Sequence, residues 1–332
     1  MISLAKEMIK ENGSDGAIAF AQRFSLLLLE EYYNLRKGTV SLDQEVWREI
    51  NFNALNLGSF SMPDSSYKIL LNPVDEGFSR EFCMYGFREP LNTFAIFNTI
   101  KKKKPFVLDI GSNLGYFSLI ELAASAKHVI AVEPVPLTFS FLTRTLKKYH
   151  NVTALNIAMS DKEEMLKLYV AKKFNVTSSQ AGVLKDGGHE IFKEIFVQAL
   201  PLSSICEKYP VEMIRLDLEG HEYRLLSGEI PQSVRTICME LHVIPPFGRE
   251  DVKILCQNLQ KNGFKISWVI DEMPRGFYPF INAFGLETTY KLINNIKKKN
   301  LSGISYEQDV DFGRFANTVN RGIIHLILER NA

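Results

Sequence analysis

The segment Phe106–Phe117, with the sequence FVLDIGSNLGYF, constrains the fold more than any other part of the chain. An apolar run typical of a strand ends at Asp109, a glycine loop follows, and the apolar pattern resumes as one face of a helix. A second strand, Val129–Glu133, then ends in a carboxylate. Glycines admit a ligand close to the backbone, a helix N-terminus offers free N–H groups, and an acid accepts from ribose hydroxyls. The pattern predicts a nucleotide pocket. Asn113 stands where a dinucleotide loop has its second glycine, which favours a different adenosine ligand.

Strand and helix patterns alternate from residue 105 onwards. Such alternation predicts an α/β domain with a parallel sheet and helices on both faces. The predicted strands are Phe106–Asp109, Val129–Glu133, Thr153–Ile157, Met213–Asp217, Thr236–Glu240, Lys265–Ile270 and Ile323–Leu328. The predicted helices are Tyr116–Ala126, Leu137–Tyr149, Leu202–Lys208, His221–Ser227 and Asp251–Asn262. Two further strand-like segments, Leu166–Ala171 and Ile191–Ala199, do not fit the alternation.

Two parts of the chain lie outside this pattern. Residues 1–104 are predicted to be a mainly helical N-terminal extension, because apolar residues recur at helical spacing up to about Lys37. Residues 105–332 are the predicted main domain, and residues 271–321 are an insertion between its last two strands. Long insertions of this kind usually have a function. We therefore expect both parts to cover the strand ends and choose the substrate, and the N-terminal helices are candidates for a homo-oligomer contact.

The overall composition argues against some classes of function. The 332 residues are 46% hydrophobic and 23% charged, which is typical of a protein that buries its own core. The formal net charge is +1, so no strong field attracts nucleic acid or an anionic membrane. The apolar run Phe24–Leu29 is far too short to span a membrane. We expect a cytoplasmic protein whose partner is a small-molecule substrate, without a membrane span.

Polar side chains follow each of the first five strands of the predicted parallel sheet. They are Asp109, Glu133, Asp161, the run Asp217–Glu222, and the pair Glu240 and His242. Ligands of open α/β sheets bind beyond the carboxyl ends of the strands, which meet at one edge of the sheet. Five polar clusters on that edge predict an enzyme that acts on a small molecule.

Five motifs occur in register along this part of the chain. They are DIGSNLG at 109–115, Glu133-Pro134, AMSD at 158–161, LDLEGHE at 216–222 and MELH at 239–242. Together they resemble the FkbM family of S-adenosylmethionine-dependent methyltransferases, over roughly residues 80–270 and the final strand. The resemblance implies a Rossmann-like sheet of seven mostly parallel strands in the order 3-2-1-4-5-7-6, with the last strand antiparallel.

The resemblance also implies which residues hold the methionine portion of S-adenosylmethionine. Gly111, Ser112 and Gly115 would let it approach the loop closely. Asp109 and Asn113 would lie near its amino and carboxylate groups. Capping of the following helix is the structural alternative for Asp109.

The remaining cofactor residues follow from the same resemblance. Glu133 would bind the ribose diol, since a carboxylate can accept both hydroxyl protons. Asp161 would accept a hydrogen bond from the adenine amino group, with the backbone of Met159 or Ser160 against the ring. A role in a turn is the structural alternative for Asp161.

The candidate catalytic residues are Asp217, Glu219, His221, Glu240 and His242. Methyl transfer to a hydroxyl needs an aligned nucleophile and a base that removes its proton. Histidine titrates near neutral pH, so His221 or His242 is the expected base, with helix capping as the alternative role of His221. A divalent cation such as Mg²⁺, held by Asp217, Glu219, Glu240 and His242, is a second way to lower the pKa of a substrate hydroxyl.

Three functions remain open from the sequence. The leading hypothesis is a methyltransferase that methylates a hydroxyl oxygen of a sugar, a lipid or another metabolite. RNA methylation is the second, because lysines at 101–104 and 297–299 could contact phosphates and Phe277, Tyr278 and Phe280 could stack a base. The low net charge argues against it. A non-catalytic binding module is the third, and the complete set of polar strand ends argues against that.

Overall fold

The computed structural model describes residues 46–57, 67–73, 75, 77–172, 176–179, 184–185, 190–273, 275–297, 306–319 and 322–330. The chain divides into two compact units. One comprises residues 1–95 and 272–304, and the other comprises residues 96–271 and 305–332. The helical stretch predicted before Lys37 lies outside the described residues. The domain boundary predicted after residue 104 stays a prediction.

Strands and helices alternate through most of the chain. The strands are β1 Val46–Glu49, β2 Lys68–Leu71, β3 Phe106–Ile110, β4 His128–Val132, β5 Val152–Leu155, β6 Ala158–Met159, β7 Glu164–Ala171, β8 Thr177–Ser178, β9 Ile191–Leu200, β10 Met213–Leu216, β11 Thr236–Val243, β12 Phe264–Ile270, β13 Tyr306–Val310 and β14 Gly322–Arg330. The helices are α1 Phe78–Tyr85, α2 Pro90–Lys103, α3 Tyr116–Ala123, α4 Pro136–Leu146, α5 Leu202–Lys208, α6 Glu222–Leu225, α7 Arg249–Lys261, α8 Tyr278–Phe284, α9 Leu286–Lys297 and α10 Phe312–Thr318. In the described part of the chain, no helix is both long enough and apolar enough to cross a membrane.

The central sheet has the strand order β13-β12-β14-β11-β10-β3-β4-β5. All seven predicted strands are present, and their predicted order is confirmed. The strands from β5 to β11 are parallel, whereas β14 is antiparallel to both of its neighbours. One further strand, β13, lies inside the predicted insertion and extends the predicted seven-stranded sheet by pairing antiparallel with β12 at the sheet edge. Its sequence YEQDV is mostly polar, as edge strands often are, and gave no strand pattern.

Apolar side chains on both faces of the central strands explain why this sheet is buried. Leu108 in β3, Ile130 in β4, Ile214 in β10 and Ile237 in β11 are register partners and are fully buried on one face, in one apolar core. Their strand neighbours Val107, Val129 and Met213 are fully buried on the other face. Continuous apolar strands of this kind are typical of parallel sheets that helices cover on both sides. Helix α7 contributes an apolar face to the same core. The packing therefore fixes the carboxyl ends of β3, β4, β10 and β11 at one edge.

A second, four-stranded sheet has the order β6-β9-β7-β8. It contains the two strand-like segments that did not fit the predicted alternation. Strand β7 is antiparallel to β9 and to β8. A small apolar cluster lies on one face and consists of Ala158, Leu166, Leu168, Val197 and Ala199. This sheet places β7 and the segment 176–179 at the candidate site described below.

The unit of residues 1–95 and 272–304 combines strands and helices. Strands β1 and β2 pair antiparallel. Glu272 accepts hydrogen bonds from the N–H groups of Leu91 and Asn92, at 3.2 and 3.0 Å, in the first turn of α2. The rings of Tyr85 and Tyr278 meet edge to face with centroids 5.3 Å apart. The described part of the predicted helical extension thus contains a two-stranded sheet as well as helices.

Candidate active site

The glycine loop after β3 forms a tight turn against its neighbours. Gly111, Asn113 and Gly115 have φ angles of 77°, 50° and 95°, in the left-handed region that favours glycine. A Cβ atom on Gly111 would lie 2.1 Å from the carbonyl oxygen of Asp217, so only glycine fits there. A Cβ atom on Gly115 would lie 3.0 Å from the Leu142 side chain in α4. Both glycines therefore allow close packing within the protein, and Asn113 holds a strained conformation in the same turn.

Glu133 follows β4, and backbone N–H groups fix its carboxylate. Oε2 accepts a hydrogen bond from the Asn113 N–H at 3.1 Å, and Oε1 accepts one from the Val135 N–H at 2.9 Å. Glu133 is only 6% exposed. Burial raises the pKa of Glu133 to about 7, although these hydrogen bonds act in the opposite direction. Each oxygen of a carboxylate can accept two hydrogen bonds, so the pair retains capacity for two hydroxyl protons.

Asp109 and Arg215 form a buried ion pair beneath the glycine loop. They are neighbours across β3 and β10, and Arg215 Nη1 lies 3.4 Å from Asp109 Oδ1. Arg215 also donates to the Gly111 carbonyl at 3.1 Å and to Asp217 Oδ2 at 3.2 Å. Ser118 Oγ in α3 donates to Asp109 Oδ2 at 2.5 Å. The pair therefore links the glycine loop to strands β3 and β10.

A cleft opens at the carboxyl ends of β3, β4 and β10. The space between its lining atoms, including solvent at its open side, is about 640 Å³. The polar lining includes Asn113 and Glu133 on one side and Asp217, Glu219 and His221 after β10. Leu166, Leu168 and residues 176–179 of the four-stranded sheet complete the lining. The cleft is thus a polar pocket with one largely apolar wall.

His242 in β11 lies at the centre of a group of carboxylates. Its Nδ1 is 3.1 Å from Glu222 Oε1, and its Nε2 is 3.2 Å from Glu219 Oε2 and 3.6 Å from Glu240 Oε1. His242 and Glu222 are both fully buried. Burial by itself would lower the pKa of His242, but the carboxylates of Glu222 and Glu219 hold it well above its usual value. These carboxylates therefore favour the protonated imidazole, whose charge would offset part of the surrounding negative charge.

The donor atoms of the alternative cation site are close together. Asp217, Glu240 and His242 each place one potential ligand atom within 4.8 Å of the other two. A positively charged His242 would have to release a proton before it could bind a metal. Proximity is therefore the one observation in favour of Mg²⁺, which stays an alternative.

His221 contacts serines. Its Nδ1 lies 2.9 Å from Ser179 Oγ, and its Nε2 lies 3.4 Å from Ser160 Oγ. His221 is 6% exposed, and burial lowers its pKa. The environments of the two histidines therefore shift their pKa values in opposite directions, down for His221 and up for His242.

Asp161 is engaged in an ion pair. Arg224 Nε lies 2.7 Å from Asp161 Oδ1, and Arg224 Nη2 lies 2.6 Å from Glu164 Oε1. Ser160 Oγ is 3.1 Å from the Asp161 carboxylate and 2.9 Å from the Glu164 carboxylate. Burial opposes ionisation, but the Ser160 hydrogen bond and the Arg224 charge lower the pKa of Asp161. This network ties the loop after β6 to α6.

Comparison with known protein families identifies the domain that carries this site. Residues 109–266 match the family model described as the methyltransferase FkbM domain. This region, slightly less than half of the chain, is similar to the methyltransferase FkbM domain. No curated protein matches the sequence significantly. The resemblance predicted from the five motifs is confirmed, and the matched region includes every predicted cofactor and catalytic residue.

Solved structures with similar chain traces have low sequence identity. A protein of the NADB-Rossmann superfamily from Streptococcus agalactiae is 11% identical with a TM-score of 0.35, over 71% of this chain and 68% of that one. A putative RNA methyltransferase from Pyrococcus horikoshii is 8% identical with a TM-score of 0.35, over 78% and 93%. P. horikoshii TYW2 in complex with MeSAdo is 12% identical with a TM-score of 0.34, over 81% and 69%. Because these TM-scores are low, the assignment rests on the FkbM family match.

The predicted site residues lie at one edge of the sheet. Some of them line the cleft, and the others are not part of its lining. Those that line the cleft are Gly111, Asn113, Glu133, Met159, Asp217, Glu219 and His221. Those outside the lining are Asp109, Ser112, Gly115 and Asp161. The Ser112 hydroxyl donates to the Asp109 carbonyl at 2.8 Å. Glu240 and His242 lie at the end of β11, where His242 contacts both Glu240 and Glu219. The roles of all these residues stay predictions.

Two features of the site were not predicted from the sequence. Arg215 is the single charged residue of the apolar strand MIRL, and an arginine in such a strand needs buried partners, so this signal was available. The segment 176–179 carries no comparable signal. Its place in the lining depends on the pairing of β8 with β7.

Proposed function

We propose that this protein is an S-adenosylmethionine-dependent methyltransferase that methylates a hydroxyl oxygen of a small molecule. The observation that carries the proposal is the Glu133 carboxylate, which is buried and fixed by two backbone N–H groups at the edge of the cleft. Because it belongs to the region similar to the FkbM methyltransferase domain, the ligand that fits this acceptor pair is the ribose of the methyl donor.

The other residues of the cleft suit the same ligand. Asp217 and Glu219 line the cleft with carboxylates, which stabilise a nearby positive charge such as a sulfonium. Gly111 and Asn113 would lie along the methionine portion, next to Glu133. When bound, S-adenosylmethionine would supply an electrophilic methyl group and leave as a thioether.

The carboxylate group around His242 supports transfer to a hydroxyl. A hydroxyl nucleophile must give up its proton as the new bond forms, and a carboxylate close to the reacting oxygen can receive it. Glu219 lines the cleft and contacts His242, whose other ring nitrogen is held by Glu222. We assign Glu219 and Glu240 as the candidate proton acceptors and His242 as the group that holds them in place. His221 is a weaker candidate, since both its nitrogens face serine hydroxyls.

The charge of the chain favours a small acceptor. A methyltransferase that holds a polynucleotide neutralises several phosphates with lysine and arginine. Here 39 basic residues are nearly balanced by 38 acidic ones. The residues around the candidate methyl position, Asp217, Glu219 and Glu240, add negative charge, which would repel a phosphate backbone.

Binding of the reaction product tests the cofactor assignment. Isothermal titration calorimetry with S-adenosylhomocysteine should show binding to the wild-type protein and at least about tenfold weaker binding to Glu133→Ala. Glu250→Ala is the matched control, because the Glu250 side chain is 80% exposed. If the wild type does not bind the product, or Glu133→Ala binds as well as the control, the proposal is wrong.

Transfer of a labelled methyl group tests the acceptor class. The protein is incubated with S-adenosylmethionine tritiated on its methyl group, together with a small-molecule extract or with total RNA. Label should enter the small-molecule fraction, and Glu219→Gln and Glu240→Gln should reduce transfer while S-adenosylhomocysteine binding stays within about twofold. Label in RNA would support the RNA alternative, and transfer to neither fraction would support a binding module.

A further inference from the structure

The wall formed by the four-stranded sheet is tied to the rest of the cleft by serine side chains. Ser178 Oγ donates to the Glu219 carbonyl at 3.0 Å, and Ser179 Oγ lies 2.9 Å from His221 Nδ1. Both serines and His221 are part of the cleft lining. The segment 176–179 is therefore attached to the loop after β10 at two successive residues.

The direction of the hydrogen bonds around His221 follows from counting protons. The carboxylates of Asp161 and Glu164 are paired with Arg224, so they act as acceptors. The Ser160 hydroxyl has one proton and lies 2.9 Å from Glu164 Oε1, so it donates to a carboxylate. Ser160 must then accept from the His221 Nε2–H.

The same count of protons fixes the direction of the hydrogen bond between Ser179 and His221. A neutral imidazole carries one N–H, and in His221 it is on Nε2, so Nδ1 is an acceptor. Ser179 must therefore donate its single proton to His221 Nδ1. Its oxygen then presents lone pairs to the cleft and can accept a hydrogen bond, but it cannot donate one.

This part of the cleft suits the base of the bound nucleoside. Under the proposed function Glu133 marks the position of the ribose, and the apolar part of the same lining includes Met159, Leu166 and Leu168. Apolar side chains of this kind pack against the faces of a purine. The Asp161 carboxylate, predicted to contact the adenine amino group, is not part of the cleft lining and is paired with Arg224. Ser179 is a polar group that is in the lining itself.

We propose that the hydrogen-bond chain from Ser179 through His221 to Ser160 selects a purine that carries an amino group at position 6. This inference rests on the proposed function, since it assumes that the cleft holds a nucleoside. Ser179 accepts a hydrogen bond from the amino group of adenine, and His221 is a positioning residue that keeps the Ser179 proton turned away from the ligand. A 6-oxo purine such as hypoxanthine would bring an acceptor against an acceptor, and a site with an unmatched buried polar group rejects its ligand.

The test compares two ligands that differ at one position of the base. They are S-adenosylhomocysteine and its hypoxanthine analogue, S-inosylhomocysteine, each titrated calorimetrically into the full-length protein. The wild type should prefer the adenine compound by at least about tenfold. Ser179→Ala should lose affinity for the adenine compound and keep its affinity for the analogue, so that the ratio falls towards one.

A second variant separates selection from general damage to the site. His221→Leu leaves the Ser179 hydroxyl free to rotate, so it should bind the analogue more tightly than the wild type does, which a merely disrupted site would not. Ser140→Ala, an exposed serine in α4, is the matched control and should keep the wild-type ratio. A wild type that binds neither compound would overturn the proposed function. A wild type that binds both equally, or a Ser179→Ala variant with the wild-type ratio, would overturn the present proposal alone.

Discussion

Arg215 and Asp109 are joined across β10 and β3 by a contact of 3.4 Å between Nη1 and Oδ1, with side chains that are 5% and 0% exposed. Desolvation of two charges is costly, and it is offset only when further hydrogen bonds satisfy both groups. Ser118, Gly111 and Asp217 supply those hydrogen bonds. The pair is therefore part of the support of the glycine loop.

Removal of one partner should destabilise the fold strongly. Arg215→Met leaves the Asp109 charge buried without its partner, so the free energy of unfolding should fall by about 3–5 kcal/mol in urea denaturation. Lys253→Met is the control, because it breaks an exposed pair with Glu250 and should cost less than about 1 kcal/mol. The double variant Arg215→Met with Asp109→Asn should lose less stability than the two single variants lose in sum. Strict additivity would contradict the coupling.

Gly111 should tolerate no side chain. Gly111→Ala places a Cβ atom 2.1 Å from the Asp217 carbonyl oxygen at a φ of 77°. The left-handed backbone alone costs roughly 1–2 kcal/mol for alanine, and the clash adds to it. We expect S-adenosylhomocysteine binding to weaken by at least about tenfold in calorimetry. Gly228→Ala is the matched control, since a Cβ there meets nothing within 4 Å. If Gly111→Ala and Gly228→Ala bound S-adenosylhomocysteine equally well, the close approach of Gly111 to the Asp217 carbonyl would not matter for binding.

The central sheet could be predicted from the sequence because its signals are local. Strands β3 and β4 are continuous apolar runs, and the glycines that follow β3 mark the turn. Strand β13 was missed since its polar sequence differs little from a loop, and its pairing with β12 is a long-range contact.

The site could be predicted as a set of positions, but the state of each side chain could not. The topology of a parallel sheet brings strand-end residues to one edge, which is why Glu133 and Asp217 lie at one cleft. Protonation depends on contacts between distant residues. His221 meets Ser160 and Ser179, whereas His242 meets Glu219 and Glu222, and the sequence alone shows neither pairing.

Ligand affinity should depend on pH through Glu133. Its pKa is raised to about 7 by burial, so near neutral pH part of the free protein carries a protonated carboxyl that accepts fewer hydroxyl protons. Raising the pH ionises the group, and the dissociation constant of S-adenosylhomocysteine should fall by about tenfold between pH 6 and pH 8. Glu133→Gln should bind more weakly and show a flat profile over the same range. A wild-type profile as flat as that of the variant would contradict the assignment.

Glu121 in α3 should make the fold less stable as the pH rises. It is fully buried, and burial together with the nearby Asp109 charge raises its pKa well above the usual value. Between the ordinary pKa and the raised one, the folded state keeps a proton that the unfolded chain releases, so an increase in pH favours unfolding. Glu121→Gln removes this titration and keeps the shape of the side chain. In urea denaturation the variant should gain stability relative to the wild type from pH 5 to pH 8, whereas the exposed control Glu250→Gln should not. A wild type and a Glu121→Gln variant with parallel pH dependence would show that Glu121 is ionised in the folded protein.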